Sequence, residues 1–114
     1  MTQVVRNLEI LHNGSFAMGV SPSDWVDARA LATSTAEAHT VPTGAKYVLF
    51  SANCDFYVRY NATVSGTAAA VPGDTTDGTA CELNPTMRYL NGVAEISLIT
   101  AAGSGGIVTM VFKR

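Results

Sequence analysis

Apolar and polar residues alternate with a period of two along much of this chain, which is the signature of β-strands. From Ala45 to Ala52, Lys46, Val48 and Phe50 fall on one face, and Tyr47, Leu49 and Ser51 on the other. Both faces are mostly apolar, as expected of a strand inside a sheet. Phe56, Val58 and Tyr60 then alternate with Tyr57, Arg59 and Asn61. Only 53–55 separates these two stretches, so they read as a hairpin. Ile96 and Leu98 in 95–100, and Val108, Met110 and Phe112 in 107–114, continue the pattern. The inward set of these stretches predicts one core of Val48, Phe50, Phe56, Val58, Ile96, Leu98, Val108, Met110 and Phe112. Shorter strand signals lie at 3–11, 35–41, 80–83 and 87–90. Asn13-Gly14, Thr43-Gly44, Asn84-Pro85 and Asn91-Gly92 separate them as turns. Gly103-Ser104-Gly105-Gly106 reads as a flexible hairpin turn. Eight or nine short strands at this spacing predict an all-β protein, an antiparallel β-sandwich or jelly roll of about eight strands with an N-terminal arm.

The first residues break this pattern. Residues 1–34 are expected as an arm or edge strand, and 35–114 as the sandwich. Helix signals occur only at 22–33. There Ser23 can cap Asp24-Trp25-Val26-Asp27, and Ala28, Ala30, Leu31 and Ala32 follow. That stretch predicts a helix of one to three turns, or a loop. On this division, deleting residues 1–31 leaves a folded β domain. Residues 62–79 are small and polar and read as a long surface loop, with a short strand near 68–71.

Composition narrows the function. The chain of 114 residues is 47% hydrophobic and 14% charged, against a usual charged share of about 25%. That balance excludes intrinsic disorder. The longest apolar runs are four residues, far short of the ~18 a membrane helix needs, so no membrane association is expected. Met1 to Arg6 lacks the apolar core of a signal peptide. Seven Lys plus Arg are scattered singly under a net charge of −2, which leaves no footprint for nucleic acid. With two Lys and four Glu, the surface must be largely Thr, Ser, Ala, Asn and Gly. Depletion of charge marks interface cores, although a Thr-rich β protein has the same look.

Candidate chemistry is sparse. His12 and His39 stand alone, and no nucleophile motif accompanies them, so no catalytic activity is expected. Asp74 and Asp77 flank Thr75-Thr76 in a glycine-bounded loop. Two local carboxylates fall short of the six to eight oxygens calcium wants, and they equally shape a turn. No metal or cofactor is expected. Cys54 and Cys81 are expected as buried free thiols, or a disulfide if their strands are neighbours. Tyr47, Phe56, Tyr57, Tyr60 and Tyr89 suit packing, or a stacking platform for a sugar or a nucleic-acid single strand, and the few cations around them favour packing. Trp25 is the only Trp and lies outside the strand pattern. It has the profile of an interface anchor, or plugs an open end of the sandwich. Arg29 beside it suits an acidic residue of a partner, and Phe16 belongs to the same apolar N-terminal stretch.

From Val41 onward, the order of elements resembles a known group. Val41-Pro42-Thr43-Gly44-Ala45 precedes a strand, and Phe50-Ser51 and Asp55-Phe56-Tyr57-Val58 follow. Then come Val71-Pro72, Thr76-Asp77-Gly78, Leu83-Asn84-Pro85, Ile96-Ser97-Leu98-Ile99 and a close from Val108 to Phe112. The pattern looks like small proteins encoded beside the structural genes of tailed bacteriophages. Within that group it is most similar to the jelly-roll decoration, or cement, proteins of phage heads. It covers roughly two-thirds of the chain and leaves out the first 40 residues. It implies a structural virion protein made in the host cytoplasm, a homodimer or homotrimer on the capsid exterior, with the major capsid protein as partner. Trp25, Arg29, Phe16, Asp74 and Asp77 are the candidate partner-binding residues. A tail, neck or head-fibre component, or a carbohydrate-binding β-sandwich module, is the alternative.

Overall fold

The computed structural model describes residues 25–114 in full and, ahead of them, strands at 8–10 and 16–18. The strands are β1 (Leu8–Ile10), β2 (Phe16–Met18), β3 (Trp25–Leu31), β4 (Glu37–Thr40) and β5 (Tyr47–Ala52), then β6 (Tyr57–Asn61), β7 (Glu82–Leu83), β8 (Met87–Tyr89), β9 (Glu95–Ile99) and β10 (Gly106–Lys113). The described residues contain no helix. β1 and β2 pair as a two-stranded sheet of their own, with Leu8 opposite Met18 and Ile10 opposite Phe16. The other eight strands form two four-stranded antiparallel sheets, ordered β3-β10-β5-β8 and β4-β9-β6-β7. Successive strands alternate between the sheets, except β6 and β7, which are neighbours. That order is the connectivity of a jelly roll.

Five local expectations are corrected. Residues 25–31 form a strand, not a helix. Alternation decides it: Trp25, Asp27 and Arg29 lie opposite Phe112, Met110 and Val108, while Val26, Ala28 and Ala30 lie opposite Val111, Thr109 and Ile107. Seven paired residues along β10 override the helix propensity of the alanines. The sandwich therefore begins at Trp25 rather than at 35, as an edge strand, and deleting 1–31 would strip β10 of one neighbour. β5 and β6 are not a hairpin, because they belong to opposite sheets; the break at 53–56 carries the chain across the sandwich. The glycine run 103–106 likewise bridges β9 and β10 across the two sheets. Gly105 holds φ +70°, and a Cβ there would collide with the Leu31 carbonyl oxygen. The turn is fixed by that close approach. No strand forms at 68–71.

The nine expected core residues are all buried, in one cluster with Leu31 and Leu90. Phe50 and Phe56 meet across the sheets with ring centroids 5.7 Å apart. β9 is buried on both faces. Ile96 and Leu98 enter the core, while Glu95 and Ser97 lie under the loop 62–81. The loop satisfies them with backbone N–H groups: Ser65 N donates to Glu95 Oε2 at 2.8 Å, and Ala69 N to Ser97 Oγ at 2.8 Å.

Candidate functional site

β3 and β4 are edge strands of different sheets, and their side chains meet across the open edge of the sandwich. The inward positions of β3 change from apolar to polar along the strand. Leu31 enters the core, Arg29 and Asp27 follow at the rim, and Trp25 ends the series. β4 offers Glu37 and His39 at the matching spacing. Arg29 Nη2 donates to Glu37 Oε2 at 3.0 Å, and His39 Nε2 donates to Asp27 Oδ2 at 2.7 Å. Asp27 Oδ2 also accepts the Trp25 indole N–H at 2.8 Å. The His39 ring stacks on Phe112, with centroids 5.9 Å apart and planes 17° apart, so it roofs the core. The result is a shallow depression between the two edge strands, lined by Trp25, Asp27, Arg29, His39, Thr40 and Pro42. Trp25 keeps 47% of its surface exposed, and its one polar atom is already bonded. Its ring presents apolar area held in a set orientation, the property that makes Trp an interface anchor.

The opposite edge is laced in the same way. Arg88 of β8 grips Glu82 of β7 through Nε, at 3.1 Å to both carboxylate oxygens, and through Nη2, at 2.6 Å to Oε2. Tyr60 Oη donates to Glu82 Oε1 at 2.9 Å. The hydrogen bonds from Arg88 hold the Glu82 carboxyl below the usual range, against the opposing effect of burial. Burial first, and then the bond to Glu82, push the Tyr60 phenol well above its ordinary value. Each exposed ion pair stabilises by about 0–1 kcal/mol. Their common effect is to pin the edges of one sheet to the other.

The structure separates the other sequence-derived candidates from this edge. Asp74 and Asp77 lie in the loop between β6 and β7, the two strands farthest from β4 in their sheet. Asp77 Oδ1 accepts from Thr79 N at 3.1 Å and from Thr79 Oγ1 at 2.6 Å. These bonds hold its carboxyl below the usual value, and they define turn chemistry. Among the described residues, no group of three or more His, Cys, Asp or Glu is placed to hold a metal ion. Cys54 and Cys81 are half-buried free thiols. Phe16 pairs opposite Ile10 in the β1–β2 sheet, and its side chain lies outside the described residues. Arg29 is engaged by Glu37, so an acidic partner would have to compete with that bond. Sequence analysis missed Asp27, His39 and Glu37. Their signal is two acid–base pairs at a spacing of two on each strand, in antiparallel order.

The fold and this edge together define an all-β jelly-roll protein with a preset, charge-satisfied surface cleft. Comparison with family models, with curated proteins and with solved structures finds no match to this chain.

Proposed function

We propose that this protein is a structural virion component, a decoration or cement protein that binds the outside of the major capsid shell of a tailed bacteriophage and stabilises it as a homo-oligomer. The observation that carries the proposal is the half-exposed Trp25 held by Asp27 at the laced β3–β4 edge. That arrangement supports docking: the charges around the indole neutralise one another within the chain, and the ring is left for a partner. The sequence resemblance from Val41 onward supports the identity of the partner, and the low charge content fits a surface that works covered. Many copies on a repeating lattice need shape complementarity and multiplied weak contacts, and linking those contacts through an oligomer raises avidity.

Co-sedimentation with undecorated, expanded heads tests the proposal. The full chain is expected to saturate them, and Trp25→Ala to weaken binding by about 2 kcal/mol or more, the size of a hot-spot loss. Full-length protein that ignores heads sinks the proposal. Tyr89, 68% exposed on β8, favours a second function, a sugar-stacking surface; binding to a glycan array together with no binding to heads would select it.

A further inference from the structure

The edges of the two sandwich sheets are unequal. β4, β7 and β8 run four, two and three residues, so they leave little backbone open to another strand. β3 runs seven residues without Pro, Lys or a bulge. Among the described residues its only strand neighbour is β10, so its other side presents a row of backbone N–H and C=O groups. The side chains of Val26, Ala28 and Ala30 are exposed. Asp27 and Arg29 point inward and flank Ala28 with opposite charges.

We infer that β3 pairs antiparallel with β3 of a second copy of the chain, about a two-fold axis at Ala28, joining the two sheets edge to edge. The inference names the contact for the oligomer in the function proposed above, and it stands without the capsid. A two-fold axis normal to the sheet keeps each side chain on its own face, and makes every contact reciprocal. Three such axes lie near the centre of the strand, at Asp27, Ala28 and Arg29. The axis at Asp27 sets two carboxylates opposite each other, and the axis at Arg29 sets two guanidiniums opposite each other. Like charges directly opposite destabilise a strand pair. The axis at Ala28 sets Asp27 opposite the partner's Arg29, and Arg29 opposite the partner's Asp27. It also pairs the full length of β3, with Val26 opposite Ala30 and Ala28 opposite itself on the outer face. Inward charges ordinarily guard an edge against added strands. An apolar or like-charged strand leaves these two without a partner, whereas β3 in this register supplies both. In the free edge they are held by Glu37 at 3.0 Å and His39 at 2.7 Å, so no charge waits unsatisfied. The main chain supplies the affinity of such an added strand, and the side-chain match supplies its specificity.

Sedimentation velocity of the full chain, from about 1 μM to 1 mM, should show a monomer–dimer equilibrium. Cross-linking under a mild oxidant then reads the register. Residues directly opposed in an antiparallel pair have Cα atoms ~4.5–5.5 Å apart, inside the ~4.4–6.8 Å span of a disulfide. Ala28→Cys should therefore run mostly as a covalent dimer on a non-reducing gel. Ala30→Cys should stay monomeric there, because its two copies lie roughly 14 Å apart at ~3.4 Å per residue. Both positions are exposed, and both variants keep Cys54 and Cys81, so Ala30→Cys also reads any cross-linking through the native thiols. A wild-type chain that stays monomeric throughout overturns the inference and leaves the edge to another strand. Equal cross-linking of the two variants overturns it too, as does a dimeric chain in which Ala28→Cys forms no cross-link. Capsid binding by a strictly monomeric chain would overturn this inference alone, and a cross-linked dimer that ignores heads would sink the decoration function alone.

Discussion

Gly105 shows how one residue can fix a crossing. Its left-handed backbone and its approach to the Leu31 carbonyl leave no room for a Cβ. Gly105→Ala is expected to lower stability by about 1–3 kcal/mol, readable in a urea unfolding curve. Phe56→Ala and Leu98→Ala each empty part of the core, and each should cost about 2–5 kcal/mol by the same measurement. An Ala variant at either position with an unshifted midpoint would contradict the burial assigned to it. Glu95 acts through pH. Hydrogen bonds from Ser65 N and then Asn61 Nδ2 hold its carboxyl below the ordinary value. A carboxyl lowered in the folded state stabilises above its unfolded pKa, about 4.3. That contribution is lost as pH falls through the lower folded value. Wild type should therefore lose more thermal stability between pH 6 and 3 than Glu95→Gln does.

At the scale of elements, pairing across the open edges matters more than pairing along the chain. Asp27→Ala removes the acceptor of both the Trp25 indole and His39. It should cost about 1 kcal/mol and broaden the Trp25 fluorescence. Deleting residues 1–31 takes away β3 and should yield a chain that loses its cooperative thermal transition. Sequence patterning revealed some elements and concealed others for physical reasons. β5 was legible as an internal strand because both of its faces are apolar, and the inward residues of β6, β9 and β10 were legible from alternation. β3 was obscured because alanines at 28 and 30 favour a helix locally, and only pairing with β10 outweighs them. The hairpin expected at 45–61 failed because alternation says which face a residue occupies and nothing about which strand lies beside it. Trp25 stood out as a lone Trp. Its partners Asp27 and His39 could be joined only by a fold that brings two edge strands together.

For the whole molecule, stability is expected to come from the core and the laced edges. Chelation with EDTA should leave the melting temperature unchanged; a fall of several degrees would assign a cation to the Asp74–Asp77 loop. Among the sandwich strands, only β6 and β7 are neighbours both in sequence and in a sheet, so nearly every pairing closes a long loop, which slows folding. The position of β10 gives this slowness a direction. β10 is the last sandwich strand to be synthesised, yet it lies between β3 and β5. Until it is made, β3 has no strand to bond with, and Val48 and Phe50 lack their in-sheet neighbours Phe112 and Met110. The sandwich is therefore completed by inserting β10 into a gap between two strands made before it. A chain cut before residue 106 would lack the shared neighbour of β3 and β5 and is expected to lose its cooperative unfolding transition.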